Sequence, residues 1–217
     1  MVNVEDRAFC MKKIFNQRTS AWSMIISAVG IILSPAMVGA VSDNANTTVS
    51  ATVDDTISIS TGSTVSFSIT PTSGGVVSSS SDTVTVSTNR NAGYNLTVAD
   101  ADATTTLVSG GDTFTASSGT KTVPVTLTNG SWGFAVATGT PGIGTNGFDA
   151  SYTTETNNAS STSKWAGMPA TGSPMMIKTT SSTATNDTTT VWYAAKANTS
   201  QPGGTYTDSV TYTATTN

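Results

Sequence analysis

Two aspartates separated by one residue, Asp100 and Asp102, are the side chains in this sequence best placed to bind a metal ion. They directly follow a segment with the pattern of a β-strand, and carboxylate oxygens are ligands that Ca²⁺ prefers. The surrounding sequence lacks the further spaced acids and the glycine of a calcium-binding loop. The pattern therefore favours a solvated turn over a Ca²⁺ site, and it indicates no other cofactor.

A second pair of acids, Asp149 and Glu155, lies in a long stretch rich in Gly, Asn, Ser and Thr. Paired carboxylates can hydrolyse glycosidic bonds when their separation is fixed. Nothing in this stretch fixes the separation, and Glu155 is the only glutamate after residue 40. The sequence therefore predicts a non-enzymatic protein in preference to a glycosidase.

Two aromatic residues of the same region, Trp165 and Tyr152, could stack on sugar rings if they are exposed. Aromatic residues at strand spacing are more often part of the core, and Tyr94 and Trp132 are interpreted in that way. Trp165 lies outside the regular strand pattern, close to Gly167. A loop-borne contact with a carbohydrate is therefore predicted for Trp165 and Tyr152 as an alternative to the core.

Two lysines, Lys178 and Lys196, lie in strand-like segments of a chain with few basic residues. A buried lysine can form a covalent cross-link to Asn or Asp in some surface domains. An outward lysine that protects the edge of a sheet is the commoner arrangement. We therefore expect both lysines to point outward.

The overall composition excludes several kinds of chemistry. The 217 residues contain no histidine and one cysteine, Cys10, whereas 44 are threonine and 30 are serine. Without histidine the chain cannot build an imidazole base, a Ser-His pair or a His-ligated metal site. Because acids outnumber bases 13 to 9, there is also no basic surface to attract nucleic acid.

The first forty residues have the organisation of a secretory signal peptide. Met11-Lys12-Lys13 and Arg18 form a positive region, 21–33 is apolar, and Val38-Gly39-Ala40 is a small-residue cleavage site. The apolar run is short for a membrane span and is interrupted by Ser34-Pro35. We therefore predict a helical signal peptide that is cleaved after Ala40, and a mature chain, 41–217, that has no membrane segment and no cysteine.

After residue 40, apolar residues alternate with Thr or Ser. This period of two is typical of half-buried strands in an antiparallel sheet. It occurs in eight segments: Val49–Val53, Ile57–Ile59, Val65–Ile69, Val84–Val86, Tyr94–Val98, Val123–Leu127, Trp132–Val136 and Tyr206–Ala214. Turn residues such as Asn129-Gly130 separate the segments. The predicted fold is all-β, an antiparallel β-sandwich of the immunoglobulin-like or jelly-roll-like type.

The alternation fades within residues 139–174, which form a long irregular segment of the predicted domain. Such a length is unusual for a plain connection between strands. The segment is therefore either an exposed binding loop or a region that contains two short strands.

The end of the chain resembles a known group of proteins. Residues 190–198, followed by the run from Gln201 to Thr213 with its Pro202, Gly204, Tyr206 and Asp208, resemble the closing hairpin of secreted bacterial β-sandwich surface proteins, including spore-coat and fimbrial-type subunits. Residues 86–98 are similar to the Trp-x-Leu element of wall-binding domains, with Tyr94 in place of the Trp. The resemblance implies a structural or adhesive module on a bacterial surface.

Signal peptide, strand pattern and resemblance together predict a secreted, non-enzymatic cell-surface protein that serves as a coat, pilus-like or adhesin subunit. Its expected partners are other surface subunits, or cell-wall or host glycans. Homo-oligomers would form by strand addition through the terminal strand. The alternative function is a carbohydrate-binding module that uses Trp165 and Tyr152.

Overall fold

The computed structural model describes residues 39–136 and 164–217 of the chain, and this part contains eleven β-strands and no helix. The strands are β1 (Ile57–Ser60), β2 (Val76–Thr88), β3 (Tyr94–Asp100), β4 (Leu107–Ser109), β5 (Asp112–Ala116), β6 (Val125–Thr126), β7 (Ser131–Val136), β8 (Lys164–Trp165), β9 (Met175–Thr179), β10 (Ala184–Ala197) and β11 (Val210–Thr216). All of them lie in one compact unit, residues 51–217. Within the described residues no helix could cross a membrane.

The strands form two main sheets and a small third one. The large sheet has the order β1-β2-β10-β7-β5-β4, the second has the order β11-β3-β9, and β6 pairs with β8. Pairing is antiparallel throughout the described strands except between β5 and β7, which are parallel over two residue pairs. The prediction of an all-β, antiparallel sandwich is confirmed. The predicted signal helix lies outside the described residues.

The core lies between the large sheet and the three-stranded sheet. Inward side chains from both sheets alternate with outward Thr and Ser, as a period of two requires. The fully buried members include Val84, Val86, Tyr94, Leu96, Val98, Phe134, Val136, Ile177 and Val191. Burying an aliphatic or aromatic side chain of this size contributes about 1.5–3 kcal/mol, so this layer supplies the main stabilisation.

Strand β10 is buried on both faces. Val191, Tyr193 and Ala195 face the sandwich core, whereas Trp192 and Ala194 belong to a second apolar cluster on the other side of the large sheet. The β6–β8 pair contributes to that cluster. This burial on both faces applies to the second half of β10, and it explains why Val191–Ala195 is a continuous apolar run instead of an alternation.

A bulge in β10 changes which of its side chains face the core. Ala184 pairs with Thr88 and Asp187 pairs with Val86, so β10 has one more residue than β2 between these pairs. The bulge contains Asn186, which has φ = 51° and whose N–H donates to Ser87 Oγ at 2.9 Å. Because paired residues point to the same face, Asp187 points inward with the buried Val86.

Two predicted strands are not formed. Val49–Val53 is exposed and has no strand pairing, although its sequence alternates. In the segment Val65–Ile69, alternate apolar side chains pack against the core without ladder hydrogen bonds. Alternation predicts which side chains can be buried together, but pairing also needs a neighbouring strand with free hydrogen-bonding groups.

The long irregular segment is only partly described. Residues 164–174 contain the short strand β8 and the bridge between Ala166 and Phe134. The part from 139 to 163 lies outside the described residues. The described part thus contains one short strand, whereas the two predicted alternatives, an exposed binding loop and two short strands, concern the whole segment.

Candidate functional site

Three aspartates meet at one end of the three-stranded sheet: Asp100, Asp102 and Asp208. One carboxylate oxygen from each lies within 4.8 Å of the others. The Asp100 side chain is completely buried, Asp208 is half-buried and Asp102 is exposed. The two aspartates that the sequence analysis singled out therefore have a third partner, 106 residues further along the chain than Asp102.

Strand pairing brings the three residues together. Asp100 is the last residue of β3 and pairs with Val210, the first residue of β11, so Asp208 lies just before the start of β11. The Ala101 N–H donates to Ser209 O at 2.9 Å, which fixes the turn after β3 against the segment that precedes β11. The position of Asp208 beside Asp100 and Asp102 follows from the antiparallel pairing of β3 with β11, which the sequence alone does not give.

Each carboxylate uses its Oδ1 atom to accept a local hydrogen bond. Asp100 Oδ1 accepts from the Asp102 N–H at 2.9 Å, and Asp208 Oδ1 accepts from the Ser209 N–H at 2.7 Å. Asp102 Oδ1 accepts from the backbone and the hydroxyl group of Thr104. The Oδ2 atoms of Asp100 and Asp208 are buried and have no hydrogen-bond partner among the described residues.

The electrostatics of this aspartate site are unfavourable for the ionised acids. The pKa of Asp208 is raised to about 6, mainly by burial; the nearby carboxylates of Asp100 and Asp102 also raise it, and the hydrogen bond from the Ser209 N–H lowers it. The hydrogen bonds from Thr104 lower the pKa of Asp102. The site thus holds negative charge in a partly dry environment.

A second polar cluster links the two main sheets inside the core. The Lys178 ammonium group of β9 lies 2.6 Å from Asp187 Oδ1 of β10 and 3.2 Å from Thr188 O. The Tyr94 hydroxyl of β3 donates to Asp187 Oδ2 at 2.9 Å. The expectation of an outward Lys178 is wrong, because this side chain is completely buried and paired with a carboxylate. Lys196 lies in the central strand β10, not at an edge.

A third polar contact also spans the sandwich. The Tyr193 hydroxyl of β10 lies 2.5 Å from the Tyr212 hydroxyl of β11. Burial is the main cause that raises the pKa of both hydroxyl groups above the usual tyrosine range. Both stay neutral at physiological pH and hold the closing strand to the opposite sheet.

The predicted sugar-binding aromatic residue is not on the surface. Trp165 lies in β8, and its side chain is completely buried in the cluster on the outer face of the large sheet. The expectation of an exposed, loop-borne Trp165 is therefore wrong, and stacking on a sugar would require the indole to leave this cluster. Tyr152, and the acids Asp149 and Glu155, lie outside the described residues.

The segment before β1, in contrast to Trp165, exposes its apolar side chains to solvent. Val49 and Val53 are 89% and 82% exposed, and Ile57 and Ile59 of β1 are also exposed. The residues directly before β1 are held against the turn after β2, because the Thr56 N–H donates to Asn89 Oδ1 at 2.7 Å and Asp55 forms an ion pair with Arg90. We refer to residues 49–60 as the N-terminal edge.

Further towards the N-terminus, Ala40, the predicted cleavage position, is exposed and lies in no strand.

Comparisons of the chain with protein-family models, with curated proteins and with solved structures find no match. The resemblance of the closing hairpin to bacterial surface proteins therefore remains a prediction from the sequence.

Proposed function

We propose that this protein is a secreted, non-enzymatic structural subunit of a bacterial cell surface, and that it assembles with other copies along its N-terminal edge. The observation that carries the proposal is the row of exposed apolar side chains on this edge. Val49 and Val53 precede the edge strand β1, and Ile57 and Ile59 within this strand are also exposed. An apolar, strand-like edge of this kind is a template for pairing with another chain.

Two other edges of the sandwich, at β9 and β4, contrast with the N-terminal edge. The outer side of β9 is covered by Lys121, whose ammonium group donates to Met176 O at 2.8 Å. At β4, Val108 exchanges two backbone hydrogen bonds with Thr207. Natural proteins protect sheet edges with lysines and covering loops of this kind. Residues 49–60 contain neither lysine nor proline, so this edge lacks such protection.

The partner that fits this edge best is a second copy of the same chain. Among the described strands β1 pairs only with β2 and therefore forms one end of the large sheet. The alternating residues before β1 supply strand-forming sequence that has no strand pairing among the described residues. Two such edges related by a two-fold axis can pair antiparallel and cover one another's apolar side chains.

The closing strand β11 is less suited to this role than the sequence predicts. It pairs along its length with β3, and Val210, Tyr212 and Ala214 already pack against the core of their own chain. Donating β11 to another copy would expose that core. The proposal therefore places assembly at the N-terminal edge and retains β11 as part of the fold.

The experiment compares the concentration dependence of the molecular mass of the wild type and of Val49→Lys/Val53→Lys by sedimentation velocity. We expect the wild type to form dimers or larger species as its concentration rises and the double variant to remain monomeric. The matched control is Val123→Lys, because Val123 is also an exposed valine but lies elsewhere on the surface. A monomeric wild type at the highest soluble concentration, or equal assembly of the double variant, would contradict the proposal.

Export has a separate test. The protein recovered outside the cells of a bacterial host should begin at Val41, as N-terminal sequencing would show. Retention inside the cell with an intact N-terminus would contradict the secreted part of the proposal and would leave the assembly test unaffected.

A further inference from the structure

The aspartate site contains more negative charge than the described residues around it neutralise. Three carboxylates meet there, with one oxygen of each within 4.8 Å of the others. Carboxylates this close together disfavour simultaneous ionisation unless a cation lies between or beside them. Asp100 is also completely buried, and its Oδ2 atom has no hydrogen-bond partner.

Three of the five basic residues after residue 40 are engaged elsewhere. Arg90 pairs with Asp55, Lys178 pairs with Asp187, and Lys121 donates to a backbone carbonyl. In the described part of the chain, no lysine or arginine forms an ion pair with any of the three aspartates. Residues 137–163 contain no basic residue in their sequence, and the whole chain contains no histidine. A cation from solution would supply the neutralising charge.

We propose that Asp100, Asp102 and Asp208 bind one Ca²⁺ ion at the end of the three-stranded sheet. Ca²⁺ lies 2.3–2.6 Å from its oxygen ligands, so two ligands on opposite sides of the ion are about 5 Å apart. The three carboxylate oxygens all lie within 4.8 Å of one another, which matches the spacing of ligands around one such ion. Water would complete the six to eight ligands that Ca²⁺ takes.

Ca²⁺ fits this site better than Mg²⁺ does. Mg²⁺ requires nearly ideal octahedral geometry and releases its water reluctantly. In this site Asp100 offers a completely buried oxygen, and the Oδ1 atoms of all three residues are already held by hydrogen bonds from N–H groups. A larger and more adaptable cation suits such a fixed and dry arrangement. With three carboxylates, the expected dissociation constant is about 10⁻⁴–10⁻³ M.

Binding of the ion would fasten the closing strand to the rest of the domain. Asp100 and Asp102 belong to β3 and the turn after it, whereas Asp208 belongs to the segment that leads into β11. An ion shared among them would join two segments that are far apart in sequence. The unfolded chain cannot hold the three carboxylates together, so Ca²⁺ would stabilise the folded state selectively.

The test measures the melting temperature of the full chain at pH 7.5 after treatment with EDTA, and then in 10 mM CaCl₂, 10 mM MgCl₂ or NaCl of the same ionic strength. We expect CaCl₂ to raise the melting temperature by about 5–10 °C over NaCl. Asp208→Asn should lose most of this increase, whereas Asp112→Asn, at an exposed aspartate outside the aspartate site, should keep it. Calorimetric titration with CaCl₂ should give one site in the wild type and none in Asp208→Asn.

The EDTA-treated Asp208→Asn variant distinguishes loss of a calcium ligand from loss of folding. Removing one of the neighbouring charges should leave this variant at least as stable as the EDTA-treated wild type. Lost calcium response in a folded variant would therefore reflect the loss of a ligand. Three results would overturn the proposal: no increase in CaCl₂ over NaCl, an undiminished increase in Asp208→Asn, or an equal increase in MgCl₂. The outcome is independent of the assembly test, which concerns the opposite terminus of the domain.

Discussion

The ammonium group of Lys178 lies 2.6 Å from Asp187 Oδ1 and joins the two sheets of the sandwich through a buried ion pair. Lys178 belongs to the three-stranded sheet and Asp187 to the large sheet. The Lys178 side chain is completely buried, whereas that of Asp187 is 22% exposed. The pair is completed by the Tyr94 hydroxyl, so the carboxylate receives a donor on each oxygen.

Removing one partner of this pair should strongly destabilise the protein. Lys178→Met leaves Asp187 half enclosed without its cation, and Asp187→Asn leaves a buried ammonium group. Loss of one partner of a buried pair costs about 3–5 kcal/mol, and we expect the lower end of that range for Lys178→Met because Asp187 retains contact with water. Urea denaturation would measure the loss.

The double variant Lys178→Met/Asp187→Leu distinguishes this pair from simple loss of packing. Replacing both charges with apolar groups should recover a large part of the stability that each single change removes. The exposed Asp112→Asn should change the free energy of unfolding by less than about 0.5 kcal/mol. If the double variant is as unstable as the sum of the two single variants, the pair has a different role.

The two tyrosine hydroxyls that meet across the sandwich should be energetically coupled. Tyr193→Phe and Tyr212→Phe should each reduce the free energy of unfolding by about 1–2 kcal/mol, because each leaves the other hydroxyl without its partner. The double variant should lose less than the sum of the two, since it leaves no unpaired hydroxyl. Strict additivity in this double-mutant cycle would show that the hydroxyls do not interact.

Alkaline pH should destabilise the fold through its buried tyrosines. Burial, together with the hydrogen bond to Asp187, raises the pKa of Tyr94 above the usual tyrosine range, and burial does the same for Tyr193 and Tyr212. In the unfolded chain tyrosines ionise near pH 10. Above that pH the unfolded state therefore binds fewer protons than the folded state, and stability falls as the pH rises.

Melting temperatures between pH 8 and 11 would measure this decline, and absorbance at 295 nm would follow ionisation. Tyr94→Phe should weaken the decline, because it removes one of the three responsible groups. A melting temperature that stays constant to pH 11, or a variant with the same decline as the wild type, would contradict the assignment.

The bulge at Asn186 should tolerate glycine and reject branched residues. Asn186→Gly retains easy access to positive φ and should change stability by less than about 0.5 kcal/mol. Asn186→Val should cost about 1–2 kcal/mol, because a branched side chain at φ = 51° collides with the backbone. Since Asn186 is exposed, lost packing does not complicate the comparison. Equal stability of the two variants by urea denaturation would contradict this role of the bulge.

Much of the strand content follows from the sequence pattern, with exceptions that have physical causes. Alternation identified segments such as Tyr94–Val98 and Trp132–Val136 as strands with a buried face. It failed for Val49–Val53, an alternating sequence that has no partner strand in the part of the chain that the structure describes. It did not identify Trp192 and Ala194 as core residues, because a strand buried on both faces shows no alternation.

The candidate site was only half predictable. Asp100 and Asp102 stand out because they follow a strand and lie two residues apart. Asp208 carries no local signal that connects it to them, since its proximity depends on which strands pair. The contact between Lys178 and Asp187 likewise depends on the one-residue bulge at Asn186, which turns the Asp187 carboxylate inward. A single inserted residue in a strand reverses the faces of all the residues that follow it.

The amino-acid sequence by itself determined the class of fold and excluded histidine-based catalysis, because composition and the period of two are properties of the chain that need no partner. Tertiary structure alone decided which polar groups meet in the interior and which apolar residues stay exposed. Those outcomes depend on strand order and register, which are settled when distant segments compete for the same hydrogen bonds and the same core.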